Sequence, residues 1–250
     1  MIEKQKNYDS KQVKQVLITG ATSGIGNALF KQFSAQGDAV IACGRNQTEL
    51  DKLSHLAAQT CRFDITDKQQ VKDIAEQIQT LDMLILNAGN CRYIDDAKQF
   101  DGELFNDVIN TNLVSVGWLL QYLLPKVKKG GQVVIVSSSA TLMPFPRSEA
   151  YGASKAGLDY LANSLRLDLK KENIAVTLVH PGFIKTPLTD KNDFNMPFLL
   201  TSDEAASRII DAVKKGKKYA HFPKRLTLLL KLFSYLPDCI WQKIVIKEQH

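Results

Sequence analysis

The sequence predicts an α/β fold built on a doubly wound parallel sheet. Three observations lead there. The short apolar runs QVLIT (15–19), AVIAC (39–43), LDMLILNAG (81–89), GQVVIVSSS (131–139) and AVTLVHPG (175–182) are rich in β-branched residues and lack strict polar alternation, the pattern of strands covered on both faces. Helical patterns separate them, which makes the sheet parallel. A glycine-rich turn follows the first run. Right-handed crossovers and a doubly wound order are the default for such a chain.

Residues 1–12 (MIEKQKNYDSKQ) are polar and charged, lack the apolar segment of a secretory signal and read as a flexible N-terminal arm. After QVLIT and its turn, a helical pattern runs through Gly37 to the second strand, AVIAC. A helical stretch to about Ala58 leads to CRF (61–63), and a polar helix near 67–79 leads to LDMLILNAG. A long helix carrying Val108, Ile109, Leu113 and Val116 ends near Pro125. GQVVIVSSS follows, then a helix from about Tyr151 to Lys171, then AVTLVHPG. No Pro-, Gly- or Ser-rich linker and no repeat interrupts the chain, so residues 1–250 read as a single domain.

Composition excludes several function classes. The net charge of +6 is mild, and the lysines lie scattered or in short clusters (Lys126, Lys128, Lys129; Lys214, Lys215, Lys217, Lys218) without interleaved aromatics, so no nucleic-acid partner is expected. Cys43, Cys61, Cys91 and Cys239 have no CxxC or ligand spacing; Cys43 and Cys61 sit in apolar runs, as buried free thiols of a reducing compartment do. His55, His180, His221 and His250 show no ligand spacing either, and no metal is expected. Together these point to the cytoplasm.

In a doubly wound sheet ligands bind beyond the carboxyl ends of the strands. The first such end is TGATSGIG, Thr19 to Gly26, with Gly20, Gly24 and Gly26 between strand and helix. Glycine admits positive φ and close backbone approach, and a helix beginning near Gly24 offers unpaired N–H groups to a pyrophosphate. The spacing is not GxGxxG, and a tight strand-to-helix connection also explains the glycines; their place after the first strand favours a dinucleotide. The second strand ends in ACGRN. Gly44 leaves empty the place of an acid that would bind a ribose 2′-hydroxyl, and Arg45 suits a 2′-phosphate, so the cofactor is read as NADP(H), against the alternative of an ordinary exposed arginine. In FDITD, Asp64 either accepts from the adenine amino group or caps the next helix. Tyr151 and Lys155 are one helical turn apart and share a face. An ammonium beside a phenol, which titrates near ~10 in water, stabilises the phenolate and lowers that value, making Tyr151 a general acid or base.

With TGATSGIG, FDITD, LNAG, NTNL, SSSA, YGASK and HPGFIKTP in this order, the chain resembles the short-chain dehydrogenase/reductase family, in its common single-domain NADP-dependent form, over residues 13–215. The resemblance implies a Rossmann-type sheet of about seven strands in the order 3-2-1-4-5-6-7, flanked by helices. It implies reversible hydride transfer between nicotinamide and a carbonyl or alcohol substrate. The implied catalytic set is Asn112, Ser138, Tyr151 and Lys155, with Tyr151 as proton donor, Ser138 orienting the substrate oxygen, Lys155 gripping the nicotinamide ribose, and Asn112 holding a water that links Lys155 to solvent. Ser137 and Ser139 are rivals of Ser138; alternation along a strand turns them the other way, and the family spacing of thirteen residues before Tyr151 selects Ser138. Asn110 lies near Asn112, and Ser115 stands where the family often has glycine. The implied cofactor contacts are Gly20, Thr22, Ser23, Gly24, Ile25, Gly26, Arg45, Asp64, Ile65, Asn87, Ala88, Gly89, Tyr151, Lys155, Pro181, Gly182, Ile184 and Thr186. In NAG, Leu86 replaces the family's first asparagine; Ile184 and Thr186 would hold the carboxamide and present the pro-S side of the ring. A homodimer or homotetramer is implied as well.

Two loops are candidates for specificity, TLMPFPR (141–147) and a lid over 187–202. Phe145, Phe194, Met196, Phe198, Leu199 and Leu200 are apolar for loops. They either cover an apolar carbonyl substrate or pack the lid onto its own domain. The usual family chain ends with a last strand, here YAHF (219–222), so residues 224–250 form a C-terminal apolar helical extension. Its apolar run, 226–236, is too short to span a bilayer. Three readings stay open for 224–247: closing the substrate pocket, covering a subunit interface, or peripheral membrane contact as an amphipathic basic helix. Rival functions are a non-catalytic NADP-binding sensor and a membrane-associated lipid-modifying reductase.

Overall fold

A computed structural model describes residues 13–192 and 194–247. The N-terminal arm, residue 193 of the lid and the last three residues of the extension lie outside the described residues. The strands are β1 (Gln15–Thr19), β2 (Ala39–Gly44), β3 (Gln59–Arg62), β4 (Leu81–Leu86), β5 (Val127–Val136), β6 (Ala175–Pro181), β7 (Ile184–Lys185), β8 (Leu200–Thr201) and β9 (Tyr219–Phe222). The helices are α1 (Gly24–Ala35), α2 (Gln47–Leu53), α3 (Lys68–Gln77), α4 (Gly102–Ile109), α5 (Ser115–Leu123), α6 (Glu149–Asp168), α7 (Ser202–Lys214), α8 (Lys224–Phe233) and α9 (Asp238–Lys247).

Seven strands form one parallel sheet in the order β3-β2-β1-β4-β5-β6-β9, while β7 and β8 pair separately. This is the expected doubly wound, Rossmann-type order, with a two-stranded ladder inserted before the seventh strand. Strand growth reverses at β1, which pairs with β2 on one side and β4 on the other. A crevice therefore opens beyond Thr19 and Leu86, where ligands bind in such sheets.

The doubly apolar strand pattern follows from two cores. Val16 and Ile18 of β1 point into one, with Leu29 and Phe33 of α1 and Ile209 of α7; Leu17 points into the other, with Val71 of α3, Leu119 of α5 and Leu158 of α6. Cys43 and Cys61 are register partners across β2 and β3, buried and free.

Two expectations are corrected here. The long helix ending near Pro125 is three pieces: α4, a π-helical turn Asn110–Val114 and α5. Within it Ser115 Oγ donates to the Thr111 carbonyl at 2.6 Å, a back-bond that bends helices. The helix placed at Tyr151 to Lys171 runs Glu149–Asp168, because the chain folds back through residues 169–173, Ile174 N donating to Leu169 O at 3.2 Å, to enter β6.

The extension packs its inner face on the domain. Leu226 and Leu230 of α8 and Trp241 of α9 join Met143 in a small core, with Phe145, Phe183 and Phe233 against it. Trp241 Nε1 donates to Pro144 O at 2.7 Å, tying α9 to the 141–147 loop. Among the described residues no helix is long and apolar enough to cross a membrane.

Candidate active site

Thr19 ends β1, and its hydroxyl accepts from Asn87 N (3.0 Å) and Ala88 N (3.1 Å) across the crevice. Asn87 Nδ2 returns a bond to Thr19 O at 3.0 Å. The NAG segment is thus stitched to the glycine turn. Gly20 and Gly24 have φ of 70° and 51°, the left-handed region glycine tolerates. A Cβ on Gly26 would overlap the Gly20 carbonyl, so the turn closes only without side chains. Ser23, the N-cap of α1, makes no side-chain cap bond, and no acid stands in the first turn. An open, positively polarised helix end at a switch point fits a pyrophosphate. A Cβ on Gly24 would lie 3.0 Å from Thr186 Cγ2, so Thr186 borders the same turn. Ile184, in β7, is buried behind it.

At the next strand end a Cβ on Gly44 would lie 2.6 Å from Thr22 Cγ2, so a side chain there would have to displace the Thr22 methyl. Arg45 reaches outward, 73% exposed, with Nη1 3.4 Å from Asp64 Oδ2. Asp64 accepts from Thr66 N (2.9 Å) and Thr66 Oγ1 (2.8 Å). Partial burial works against its charge, but the Thr66 bonds and then Arg45 outweigh it and hold the carboxyl below its usual range. The capping alternative for Asp64 is corrected: Asp67 caps α3, accepting from Gln69 N and Gln70 N, because it directly precedes the first helical turn.

The catalytic candidates converge on the other side of NAG. Lys155 is buried, and its Nζ donates to Val136 O at the end of β5 at 3.1 Å. A Cβ on Gly89 would lie 3.5 Å from that Nζ and 2.9 Å from Asn112 Oδ1. The ammonium sits 5.7 Å from the Tyr151 ring centre. The Tyr151 hydroxyl feels the Ser138 side chain, and Ser138 Oγ accepts from Ala140 N at 3.1 Å. Ser137 Oγ turns away to Lys155 O, 3.1 Å, and Ser139 is buried. Asn112 lies in the π turn, fully buried: its Oδ1 accepts from Asn90 N (2.8 Å), and its Nδ2 donates to Asn90 O (2.9 Å) and Ser154 Oγ (3.0 Å). Both ends of the amide are thereby engaged in fixing the loop after NAG against α6. Pro181 and Gly182 stand at the carboxyl end of β6, beside the edge strand β9: Gly182 N donates to Phe222 O at 2.7 Å, and a Cβ on Gly182 would lie 2.8 Å from Leu226 Cδ2.

The electrostatics correct one expectation. The Tyr151 hydroxyl is raised rather than lowered, because burial dominates and Cys91 adds to it, with only the Ser138 hydroxyl opposing. The ring keeps some exposure, but its hydroxyl end is desolvated. The same burial lowers Lys155 to about 8, against the pull of Cys91 and Asp159.

Sequence reasoning missed several neighbours. Cys91 follows NAG by two residues in an irregular loop, where no periodicity marks it; burial raises its thiol. Tyr93, near Cys91, carries part of the lid: its hydroxyl donates to Asn192 Oδ1 at 3.1 Å and its ring meets Phe194 edge-on at 5.8 Å. Phe194 also meets Phe183 at 6.0 Å. Asp159, one turn beyond Lys155, pairs with His180 Nε2 at 2.8 Å, and His180 Nδ1 lies 2.8 Å from the Tyr219 hydroxyl. The spacing from Lys155 was a signal for Asp159. A cleft of about 540 Å³ lined by Leu142, Phe145, Gly152, Ala153 and Ala156 opens on the outer side of α6, away from the Tyr151–Lys155 face.

Residues 14–196 match the sequence profile described as short chain dehydrogenase. An uncharacterized oxidoreductase of Myxococcus xanthus is 30% identical over 237 residues, covering 90% of this chain and 93% of its own. A fatty acyl-CoA reductase of Acinetobacter baylyi is 31% identical over 242 residues, covering 90% of this chain and 81% of its own. A short chain dehydrogenase from Burkholderia cenocepacia, solved in complex with NADP, shares the fold with a TM-score of 0.74 at 24% identity, covering 83% of this chain and 95% of that one. The profile match spans well over half the chain, and the Myxococcus relative agrees along nearly its full length: the protein belongs to the short-chain dehydrogenase family of oxidoreductases.

Proposed function

We propose that the chain is an NADP(H)-dependent reductase of apolar carbonyl compounds, working reversibly with the corresponding alcohols. The observation that carries the reading is the meeting of Tyr151, Ser138 and buried Lys155 beside Gly89, at the strand ends that also hold the open α1 terminus. The dinucleotide would be held by the Thr19–Gly26 turn, Asn87–Gly89, Lys155, Ile184 and Thr186, and its 2′-phosphate by Arg45. The NADP complex of the Burkholderia protein supports that choice, as does the absence of an acidic side chain at Gly44. Bound there, the cofactor supplies or accepts the hydride.

The chain's own residues handle the proton. The Tyr151 phenol is protonated at neutral pH and can give its proton to a carbonyl oxygen gaining negative charge; burial holds that proton more tightly, so the donation needs the phenolate to be stabilised from outside the ring. Ser138, next to the Tyr151 hydroxyl, donates to the same oxygen and fixes its approach. The Lys155 ammonium, near the phenol ring, stabilises the phenolate left behind. Asn112 holds the Asn90 loop and Ser154, whose hydroxyl donates to Tyr151 O at 2.7 Å, and so sets the first turns of α6. An apolar substrate fits the Phe183, Phe194 and Tyr93 wall of the lid, and the fatty acyl-CoA reductase resemblance supports it. The protein is read as a cytoplasmic homodimer or homotetramer, with peripheral membrane contact confined to the C-terminal helices.

The test is Tyr151→Phe, assayed as loss of NADPH absorbance with a panel of apolar ketones and aldehydes. Turnover is expected to fall by at least about a hundredfold, as loss of a positioned general acid does, with NADPH affinity changed less than about threefold. Undiminished turnover would refute the assigned acid. A wild-type protein that binds NADPH yet turns over no carbonyl leaves the sensor reading in its place.

A further inference from the structure

The inner faces of α8 and α9 are covered by the domain; their outer faces are not. Leu228 and Leu232, one turn apart on α8, are 56% and 62% exposed, with Leu229 beside them, and Tyr235 just beyond is 87% exposed. On α9, Ile240 and Ile244, one turn apart, are exposed as well. Exposed leucines gathered on one helix face mark a contact surface rather than ordinary solvent exposure.

The border of the patch is cationic. Residues 224–247 contain Lys224, Arg225, Lys231, Lys243 and Lys247 against the single acid Asp238. Lys217, in the turn between α7 and β9, joins them. Burial first, and then Lys231 and Lys217, depress the Lys224 ammonium, so the three charges feel one another. His221 lies among them, with Nε2 2.8 Å from Lys224 Nζ, and Lys231 Nζ stands 4.4 Å over the Tyr219 ring. None of Lys217, Lys224 and Lys231 has a carboxylate within ion-pair distance among the described residues. The folded chain therefore gathers like charges around exposed leucines and leaves their countercharge to a partner.

We propose that the outer face of α8 and α9 docks on an anionic lipid bilayer, with Leu228, Leu229 and Leu232 at the headgroup boundary and Lys217, Lys224 and Lys231 on the lipid phosphates. Two ten-residue helices lie in the interface plane instead of crossing it. Through the Trp241–Pro144 bond the docked helices also carry the 141–147 loop to the membrane. The inference extends the peripheral contact above and stands whether or not the oxidoreductase reading holds.

The experiment is co-sedimentation of the full chain with vesicles of phosphatidylcholine alone, and with one quarter phosphatidylglycerol. At roughly fivefold in partitioning per lysine, three lysines give on the order of a hundredfold preference for the anionic vesicles. Raising salt several-fold should erase most of it. Leu228→Ser and Leu232→Ser should each weaken binding on the order of tenfold. Lys217→Gln/Lys224→Gln/Lys231→Gln should cut the preference for anionic vesicles by on the order of a hundredfold. Folded wild type that shows no preference for anionic vesicles overturns the proposal without any variant. So does a solution dimer that Leu232→Ser splits into monomers, which would assign the face to a second copy of the chain.

Discussion

Tyr151 and Lys155 meet the same desolvated wall with opposite results, because burial disfavours whichever form carries charge. The phenol keeps its proton to higher pH; the ammonium gives its proton up at about 8. Their spacing in the sequence shows that they share a helix face, but depth below the surface depends on strands β4 and β5, which no local spacing reveals. Arg45 is the reverse case. It is exposed, and its only carboxylate contact among the described residues is the 3.4 Å approach to Asp64, so the guanidinium is available to a phosphate. Arg45→Ala should raise the KM for NADPH roughly 10- to 100-fold, the loss of one charge-assisted contact, and that for NADH less than about threefold. Equal losses would show that Arg45 is a bystander to cofactor choice. Residues whose work is done by motif and side-chain type were legible before folding: the glycines, Tyr151, Lys155 and Arg45. Cys91 and Tyr93 were not, since they reach the site from an irregular loop and are adjacent to Tyr151 only in space.

At the scale of elements, the strands were the easiest to read because two covered faces demand continuous apolar runs. The helix between β4 and β5 was harder. Its apolar periodicity passes through residues 110–114 unbroken, while the π turn there depends on the Ser115 back-bond and on the pull of Asn112 toward Asn90. The extension was visible as an apolar run, but which face packs was not, because both faces of α8 carry leucine. The structure divides them: Leu226 and Leu230 face inward, and Leu228 and Leu232 outward. The clasp between extension and site is Trp241, which meets Phe145 edge-on at 5.6 Å, lies 5.8 Å from Phe233 and bonds Pro144 O. Trp241→Ala removes this packing and the bond together, about 3 kcal/mol or more for a buried tryptophan. Hydrogen exchange should then rise by on the order of a hundredfold in both 141–147 and 238–247, while β1, β4 and β5 keep their protection. A rise confined to α9 would mean that the loop is held by other contacts.

Across the whole molecule, the sheet between two apolar cores makes the interior a poor host for charge, and the protein's pH response follows. His221, pushed down to about 4 by burial and then by Lys224 and Lys231, binds its proton more readily in the unfolded chain, so stability falls as pH drops from 6.5 toward 4. Tyr219, pushed up to about 12 by burial, holds its proton longer when folded, and stability falls as pH rises above 10. Lys155 acts between these limits and in the opposite sense to the tyrosine. Its folded value of about 8 lies below the ordinary 10.5, so over that interval the unfolded chain carries the extra proton and stability climbs with pH. Below about 8 both states are charged, and the cost of the buried ammonium is constant. Replacing it with an isosteric apolar chain isolates the effect. Relative to Lys155→Met, the wild type should gain stability between pH 8 and 10.5, by at most about 1.4 kcal/mol per pH unit, the limit for one full proton. Urea unfolding of both proteins at half-unit steps of pH measures the gap directly. A gap that stays flat across that interval would mean that Lys155 titrates where an exposed lysine does, and the argument that burial sets the proton chemistry of this site would fail with it.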